Sequence, residues 1–263
     1  MIYNTDRGLE GMKGKRNIFL VIGAIILLMS FVYVKYQKIS LETIATEKKL
    51  PIHCIETKEK EIALTFDINW AEKDYLKNIL DVLDKYDVKA TFFIIGKWVN
   101  YTDENLKKLK IINEKGHEIG NHSYIHPNFS GLRDELIEKE IIKTEKVIYE
   151  ATGVKTILFR FPSGDYSNNS LRKVESMGYI PIQWNIDSVD WREDGKEKEY
   201  KRVKDKIKEG SIILYHNNAK YTVENLDRLI SELKKDGYSF KKVGEMIYKD
   251  SYYIDSQGIQ HKK

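Results

Sequence analysis

The sequence predicts an α/β protein built from repeated β/α units around a parallel sheet or barrel, and three observations carry that prediction. From Glu59 onward, short apolar runs alternate with longer amphipathic stretches. Seven of the runs have the length and composition of strands: Ile62 to Asp67, Ala90 to Ile95, Glu118 to Asn121, Ile157 to Phe161, Ile180 to Trp184, Ser211 to Tyr215, and a short last one at Ser239 to Phe240. Gly116, Gly153, Gly178, Gly210 and Gly237 each follow a helical stretch and shortly precede an apolar run. That is where a helix commonly closes on a left-handed residue.

The intervening stretches read as helices. Between Arg133 and Ala151, for example, Leu132, Leu136, Ile141 and Ile148 fall near one face, which is expected to pack on the barrel. The chain has 263 residues, enough for one sizeable core and no second domain. Its 44 basic and 40 acidic side chains nearly cancel, so no polyanion-attracting field is expected and nucleic acid is excluded as a partner. Cys54 is the single cysteine; an intrachain disulfide is therefore impossible and stability rests on packing. Nothing in the sequence speaks to oligomeric state.

Residues 18–34, IFLVIGAIILLMSFVYV, contain no charge. A helix of this length spans roughly 25 Å, slightly less than a hydrocarbon core of ~30 Å. Arg7, Lys13, Lys15 and Arg16 precede it, which puts the N-terminus in the cytoplasm and the bulk of the chain outside. The rival, a cleavable signal peptide, is disfavoured because the segment SFVYVKYQ that closes the run lacks a small-residue cleavage pattern. The expected organisation is a cytoplasmic segment 1–17, a single membrane span 18–34, a linker 35–58, a catalytic domain 59–250 and a polar tail 251–263.

In a β/α barrel the groups at the carboxyl ends of the strands share one rim. There the sequence places Asp67, His122 with His126, Arg160, Asp187 with Asp190, and His216. His122 and His126 are four residues apart, and Pro127 biases His126 towards an extended conformation. They read as a divalent-metal pair or as two solvated histidines. Asp67 is a candidate general base or a strand-end turn residue. Arg160 is a candidate partner for that carboxylate or a surface cation. His216 is a candidate general acid, its protonated form favoured by Asp187 or Asp190, or else a satisfied core histidine. Ser163 and Gly164 can approach a substrate oxygen through their backbone. Trp191 and Trp184 are core residues or platforms for a sugar ring.

Five segments in order, TFDIN at 65–69, NHSYIH at 121–126, RFPSG at 160–164, DSVDW at 187–191 and LYH at 214–216, resemble the motifs of the polysaccharide deacetylase family, also called the NodB-homology or carbohydrate esterase 4 family. The resemblance covers roughly residues 59–250. It implies a distorted (β/α)7 barrel that removes acetyl groups from N-acetylated glycans, such as peptidoglycan, with a divalent metal, Zn2+ being the expected ion. Asp67 is then the base, His122 and His126 the metal ligands, Arg160 the residue that steadies Asp67, Asp190 the one that tunes His216, and His216 the acid. Ser163, Gly164 and Trp191 contact the substrate. One departure stands out: Ile68 occupies the position of the family's third metal ligand, an aspartate, and isoleucine coordinates nothing. The TFDI-x-W variant with an anchor resembles the members associated with endospore formation. A barrel that binds glycan without turning it over is the alternative function.

Overall fold

The computed structural model describes residues 22–36 and 49–263. These belong to two separate units, divided after Lys48. Residues 22–36 form helix α1, with exposed apolar side chains including Leu27, Leu28 and Phe31. Among the described residues no helix is long and apolar enough to cross a membrane, and residues 18–21 of the expected span lie outside them.

The central strand of the second unit is β2, Glu61–Ile68. Its alternation separates two surfaces. Ile62, Leu64, Phe66 and Ile68 join the large cluster that includes Leu76, Ile79 and Leu83 of helix α2, Leu76–Lys85. Ala63, Thr65 and Asp67 take the opposite face, where Thr65 and Asp67 meet Arg160. Around β2 run β3 (Thr91–Ile94), β4 (Glu118–Asn121), β5 (Leu158–Phe159), β6 (Ile180–Pro181), β7 (Ile186–Asp187), β8 (Ile212–His216) and β9 (Ser239–Phe240). The parallel sheet has the order β6-β5-β4-β3-β2-β8-β7, and β9 pairs with the start of β2. Parallel strands need crossovers. These are supplied by α2, α3 (Gly96–Val99), α4 (Asp103–Glu114), α5 (Asp134–Thr152), α6 (Asn168–Ser176), α7 (Lys196–Lys204) and α8 (Thr222–Lys235), while a short α9 (Val243–Met246) follows β9.

The result is a barrel of parallel strands left open between β6 and β7. The expected strand from Ile180 to Trp184 is shorter: β6 ends at Pro181, although Ile182 N still donates to Phe159 O at 2.8 Å. Beyond it the carbonyls of Ile182 and Gln183 turn towards the guanidinium of Arg160, at 3.4 and 3.0 Å. The chain then crosses to the far side and pairs with β8. Ile52 fills in beside β6, bridging to Ile182.

Three further expectations are corrected. Residues 49–58 and 251–263, read as linker and polar tail, contribute to a separate sheet in which β1 (Cys54–Ile55) and β10 (Tyr252–Ile254) flank β11 (Ile259–Lys262). Their sequences are too short and polar to show a periodicity; pairing between distant segments makes the strands. On α5 the inward face is Ile137, Glu140, Ile141, Thr144 and Ile148, and Leu136 is largely exposed.

All five punctuating glycines have positive φ. Gly153 caps α5 at φ 72° with open space around it, whereas a Cβ on Gly210, at φ 74°, would lie 1.8 Å from the carbonyl oxygen of Ile55. Gly210 also links β1 to β2: its carbonyl accepts from Ile55 N at 3.0 Å and its N–H donates to Glu61 O at 2.8 Å. We therefore expect Gly153→Ala to cost about 1 kcal/mol and Gly210→Ala about 2 kcal/mol or more by urea unfolding, the second adding a collision to the backbone penalty. Equal costs would show that Ile55 yields freely.

Candidate active site

Asp67 and His216 end neighbouring strands and are register partners across β2 and β8, so their Cα atoms lie about 5 Å apart. His122 follows β4, and Arg160 follows β5 beside it, with Arg160 N donating to Asn121 O at 3.0 Å. The parallel register thus gathers residues from four strands at one rim.

Arg160 is fully buried. Its Nη1 donates to Asp67 Oδ1 and to Thr65 Oγ1, both at 2.9 Å, and its guanidinium lies 4.0 Å from the centre of the Phe93 ring. With the carbonyls of Ile182 and Gln183 as further acceptors, the cost of burying this charge is offset on every side. Burial pushes the Asp67 carboxyl up, but the charges of His122, Arg160 and His216 and the Arg160 hydrogen bond outweigh it and hold Asp67 below its ordinary value. The reading of Arg160 as a surface cation is thereby excluded.

His122 is also fully buried, and its Nδ1 lies 2.9 Å from Arg160 O. A carbonyl carries no proton, so Nδ1 must be the donor and Nε2 holds the lone pair. Burial lowers the imidazole to about 4, which leaves it neutral at pH 7. That Nε2 has no hydrogen-bond partner and faces Asp67 Oδ2 at 3.4 Å. Two acceptors directed at each other call for a cation or a proton between them.

His126 stands beside this pair, its ring centre 4.9 Å from that of His122. Its φ is +61°, not the extended value that Pro127 favours, because side chains fasten the loop from below. Ser123, itself at φ 66°, accepts from His126 N at 3.0 Å, and Glu140 Oε2 of α5 accepts from Tyr124 N and Ile125 N at 2.9 and 2.8 Å. Burial lowers His126 as well. Two neutral imidazoles are thus available as nitrogen donors.

The donor set fits a divalent cation in part. Among the described residues no three His, Cys, Asp or Glu side chains are arranged to hold a metal. Ile68 is fully buried in the helix-facing cluster and paired with Ile94 on β3, so the place of the missing carboxylate is a strand position facing the apolar core. His122 and His126 are the two residues that would hold the ion.

On the other side, Asp190 is wholly buried and receives His216 twice: Nδ1 donates to Oδ1 at 2.7 Å and the backbone N to Oδ2 at 2.8 Å, with Thr222 Oγ1 also donating to Oδ2 at 2.8 Å. Burial lowers His216, but the Asp190 hydrogen bond and the negative charges of Asp190, Asp67 and Asp187 outweigh it, and the imidazole is raised above 6.5. Asp187 contributes only its charge to His216; its carboxylate accepts from Val189 N at 2.8 Å. Val189 itself has φ +52°, an unfavourable value for a β-branched residue, and this turn sends Asp190 inward while Trp191 stays 58% exposed.

Asp67, Asn69, His126, Ser163, Trp184, Asp187, Trp191 and His216 line one cleft of about 400 Å³. Ser163 is positioned at its wall with φ 54°. The Gly164 amide, expected to face a substrate oxygen, is committed to Phe161 O at 3.0 Å, and a Cβ there would come within 3.3 Å of Trp184. Gly164 therefore shapes the cleft without donating into it. The sequence reading overlooked Glu140, whose only signal was a charge on the apolar face of a helix, and Asn217, which follows His216 and fastens the loop after β2.

With this geometry in view, comparison with known proteins is informative. The polysaccharide deacetylase family profile matches residues 55–182. The chain is 34% identical over 204 residues to the peptidoglycan-N-acetylmuramic acid deacetylase PdaA of Bacillus subtilis (strain 168), covering 76% of each. It superposes with a TM-score of 0.70 on a family 4 carbohydrate esterase pseudoenzyme from Bacillus anthracis, at 34% identity over 81% of this chain and 73% of that one. A mutant of that pseudoenzyme with restored enzymatic activity also has a TM-score of 0.70, at 37% identity over 74% and 70%. The protein described here belongs to the polysaccharide deacetylase family, carbohydrate esterase family 4. It is a deacetylase-like protein whose relatives include both enzymes and a pseudoenzyme.

Removing Arg160 strands a buried carboxylate, so Arg160→Ala should cost about 3–5 kcal/mol of stability in denaturant unfolding; a loss under ~1 kcal/mol would mean the pair is dispensable. Glu140→Ala should speed hydrogen exchange at the amides of Tyr124 and Ile125 by about tenfold or more, measured by NMR, as each loses its acceptor. Unchanged exchange there would remove Glu140 from the loop's support.

Proposed function

We propose that the protein hydrolyses acetamido groups of an extracytoplasmic N-acetylated glycan, peptidoglycan first among them, while residues 18–34 hold it at the membrane. The observation that carries this reading is the pair of oppositely tuned groups across one cleft: Asp67, bound by Arg160 at 2.9 Å and shifted towards its anion, and His216, bound by Asp190 at 2.7 Å and shifted towards its protonated form. As water adds to the acetyl carbon, Asp67 takes its proton; as the C–N bond breaks, His216 protonates the departing amine, leaving acetate and a free amino sugar. A divalent cation, expected to be Zn2+, supplies Lewis acidity at the acetamide carbonyl when held by His122 and His126. Ser163 and Trp191 line the path of the sugar. The uncharged run with four preceding cations supports the membrane placement, and the resemblance to members associated with endospore formation supports a role in the spore envelope.

Ile68 favours a second reading, a glycan-binding barrel without turnover. Zinc content and acetate release from peptidoglycan and N-acetylglucosamine oligomers separate the two. Under the enzyme reading the native chain binds zinc and releases acetate, His122→Ala loses the zinc, and Asp67→Asn lowers the rate by about 100-fold or more. A native chain with neither zinc nor acetate release would leave the binding reading standing. Ile68→Asp that alone gains acetate release would identify a dismantled site that one carboxylate restores.

The pH dependence follows from His216, which must be charged to act. Activity is retained below its folded pKa and lost as pH rises through it. Since that value lies above 6.5 because of Asp190, Asp190→Asn should move the alkaline limb of the rate profile to lower pH. A limb that stays in place would separate Asp190 from the acid.

A further inference from the structure

A second recess, of about 380 Å³, opens on the same rim and is not used by the reaction described above. Its lining includes Trp70, Asp74, Trp98, Tyr101, Asn105 and Lys108. Trp70 lies in the loop after β2, and Tyr101 in the turn between α3 and α4 after β3, so adjacent strands deliver both to the carboxyl-end face. Trp98 is buried as the floor, whereas Trp70 is 36% and Tyr101 67% exposed. Large aromatic side chains left at the mouth of a recess are characteristic of surfaces that become covered by a ligand.

The recess and the catalytic cleft are both lined by the loop after β2: Asn69 lines the cleft and its neighbour Trp70 lines the recess. That loop is fixed to β8. Asn217, next to His216, accepts from Asn69 N at 2.8 Å and donates to Asn69 O at 3.2 Å and Asp74 Oδ1 at 3.1 Å, while its own carbonyl accepts from Tyr75 N at 2.8 Å. Asp74 Oδ2 accepts from Lys108 Nζ at 2.9 Å. These two charges pair with each other, and the third, Glu72, is exposed, so the lining disfavours an anionic ligand.

We infer that this recess is a distal subsite for the glycan chain, in which a sugar ring removed from the reacting residue stacks on Trp70 and Tyr101. The apolar face of a pyranose matches the flat rings, and its hydroxyl groups match the polar side chains of Asp74, Asn105 and Lys108. The inference deepens the deacetylase reading and rests on it for the identity of the ligand, but not on turnover. It makes chain length matter: a hexasaccharide is expected to engage Trp70, and a disaccharide held at His216 is not.

The test compares dimers and hexamers of N-acetylglucosamine, with binding measured by calorimetry on the full-length native chain and on Asp67→Asn, and turnover by acetate release. Trp70→Ala and Tyr101→Ala should each weaken hexamer binding and raise its KM by about tenfold, with kcat and all dimer parameters unchanged, and Trp70→Phe should restore most of the loss. Equal losses for dimer and hexamer, no loss for either, or a native chain that binds no hexamer would overturn the subsite. Hexamer binding that depends on Trp70 without any acetate release would keep the subsite and remove the catalytic reading; acetate release indifferent to Trp70 would do the reverse.

Discussion

The buried guanidinium of Arg160 is the constraint on which the rest of this structure depends. It closes electrostatically what hydrogen-bonded strands leave open, donating to the carbonyls of Ile182 and Gln183 at the break between β6 and β7. The same group anchors Asp67 and Thr65 on the central strand, and the backbone carbonyl of the same residue selects the tautomer of His122. A charge this deep is tolerable only because its donors are spoken for. Barrel shape, carboxylate ionisation and imidazole lone pair are therefore consequences of one residue's surroundings.

Around that centre the loops are held by side chains that accept backbone N–H groups. Glu140 does so for the turn carrying His126, Asp190 for His216, and Asn217 for the loop after β2. Positive φ values at Ser123, His126, Ser163 and Val189 fall in the loops of this rim. Such conformations persist only where neighbouring contacts over-determine them, and each one aims a polar group into the cleft or its support.

Ile68 shows how a site of this family can change without losing its frame. The side chain sits on the helix-facing surface beside Ile94, where it adds to the core and interrupts none of the contacts of Asp67, Arg160 or His216. The polar network and the apolar layer meet at this position on alternate residues of one strand. Replacement of a carboxylate by isoleucine there is structurally favourable, whatever its effect on metal affinity.

Most strands of the parallel sheet, the long helix α5 and the punctuating glycines were legible in the sequence because they follow from short-range rules: short apolar runs, amphipathic faces and the left-handed conformation open to glycine. The ordered motifs likewise indicated which of Asp67, His122, His126, Arg160, Asp190 and His216 belong together. The resemblance also implied that Arg160 serves Asp67 and Asp190 serves His216. The loop supports at Glu140 and Asn217 were not legible, because a hydrogen bond between residues tens of positions apart leaves no local pattern. Only tertiary structure withdrew the Gly164 amide from the cleft, turned His126 left-handed against the bias of Pro127, ended β6 at Pro181 and paired the two ends of the domain through β1 and β11. In each case the sequence left several conformations near in energy, and packing against a distant segment selected one.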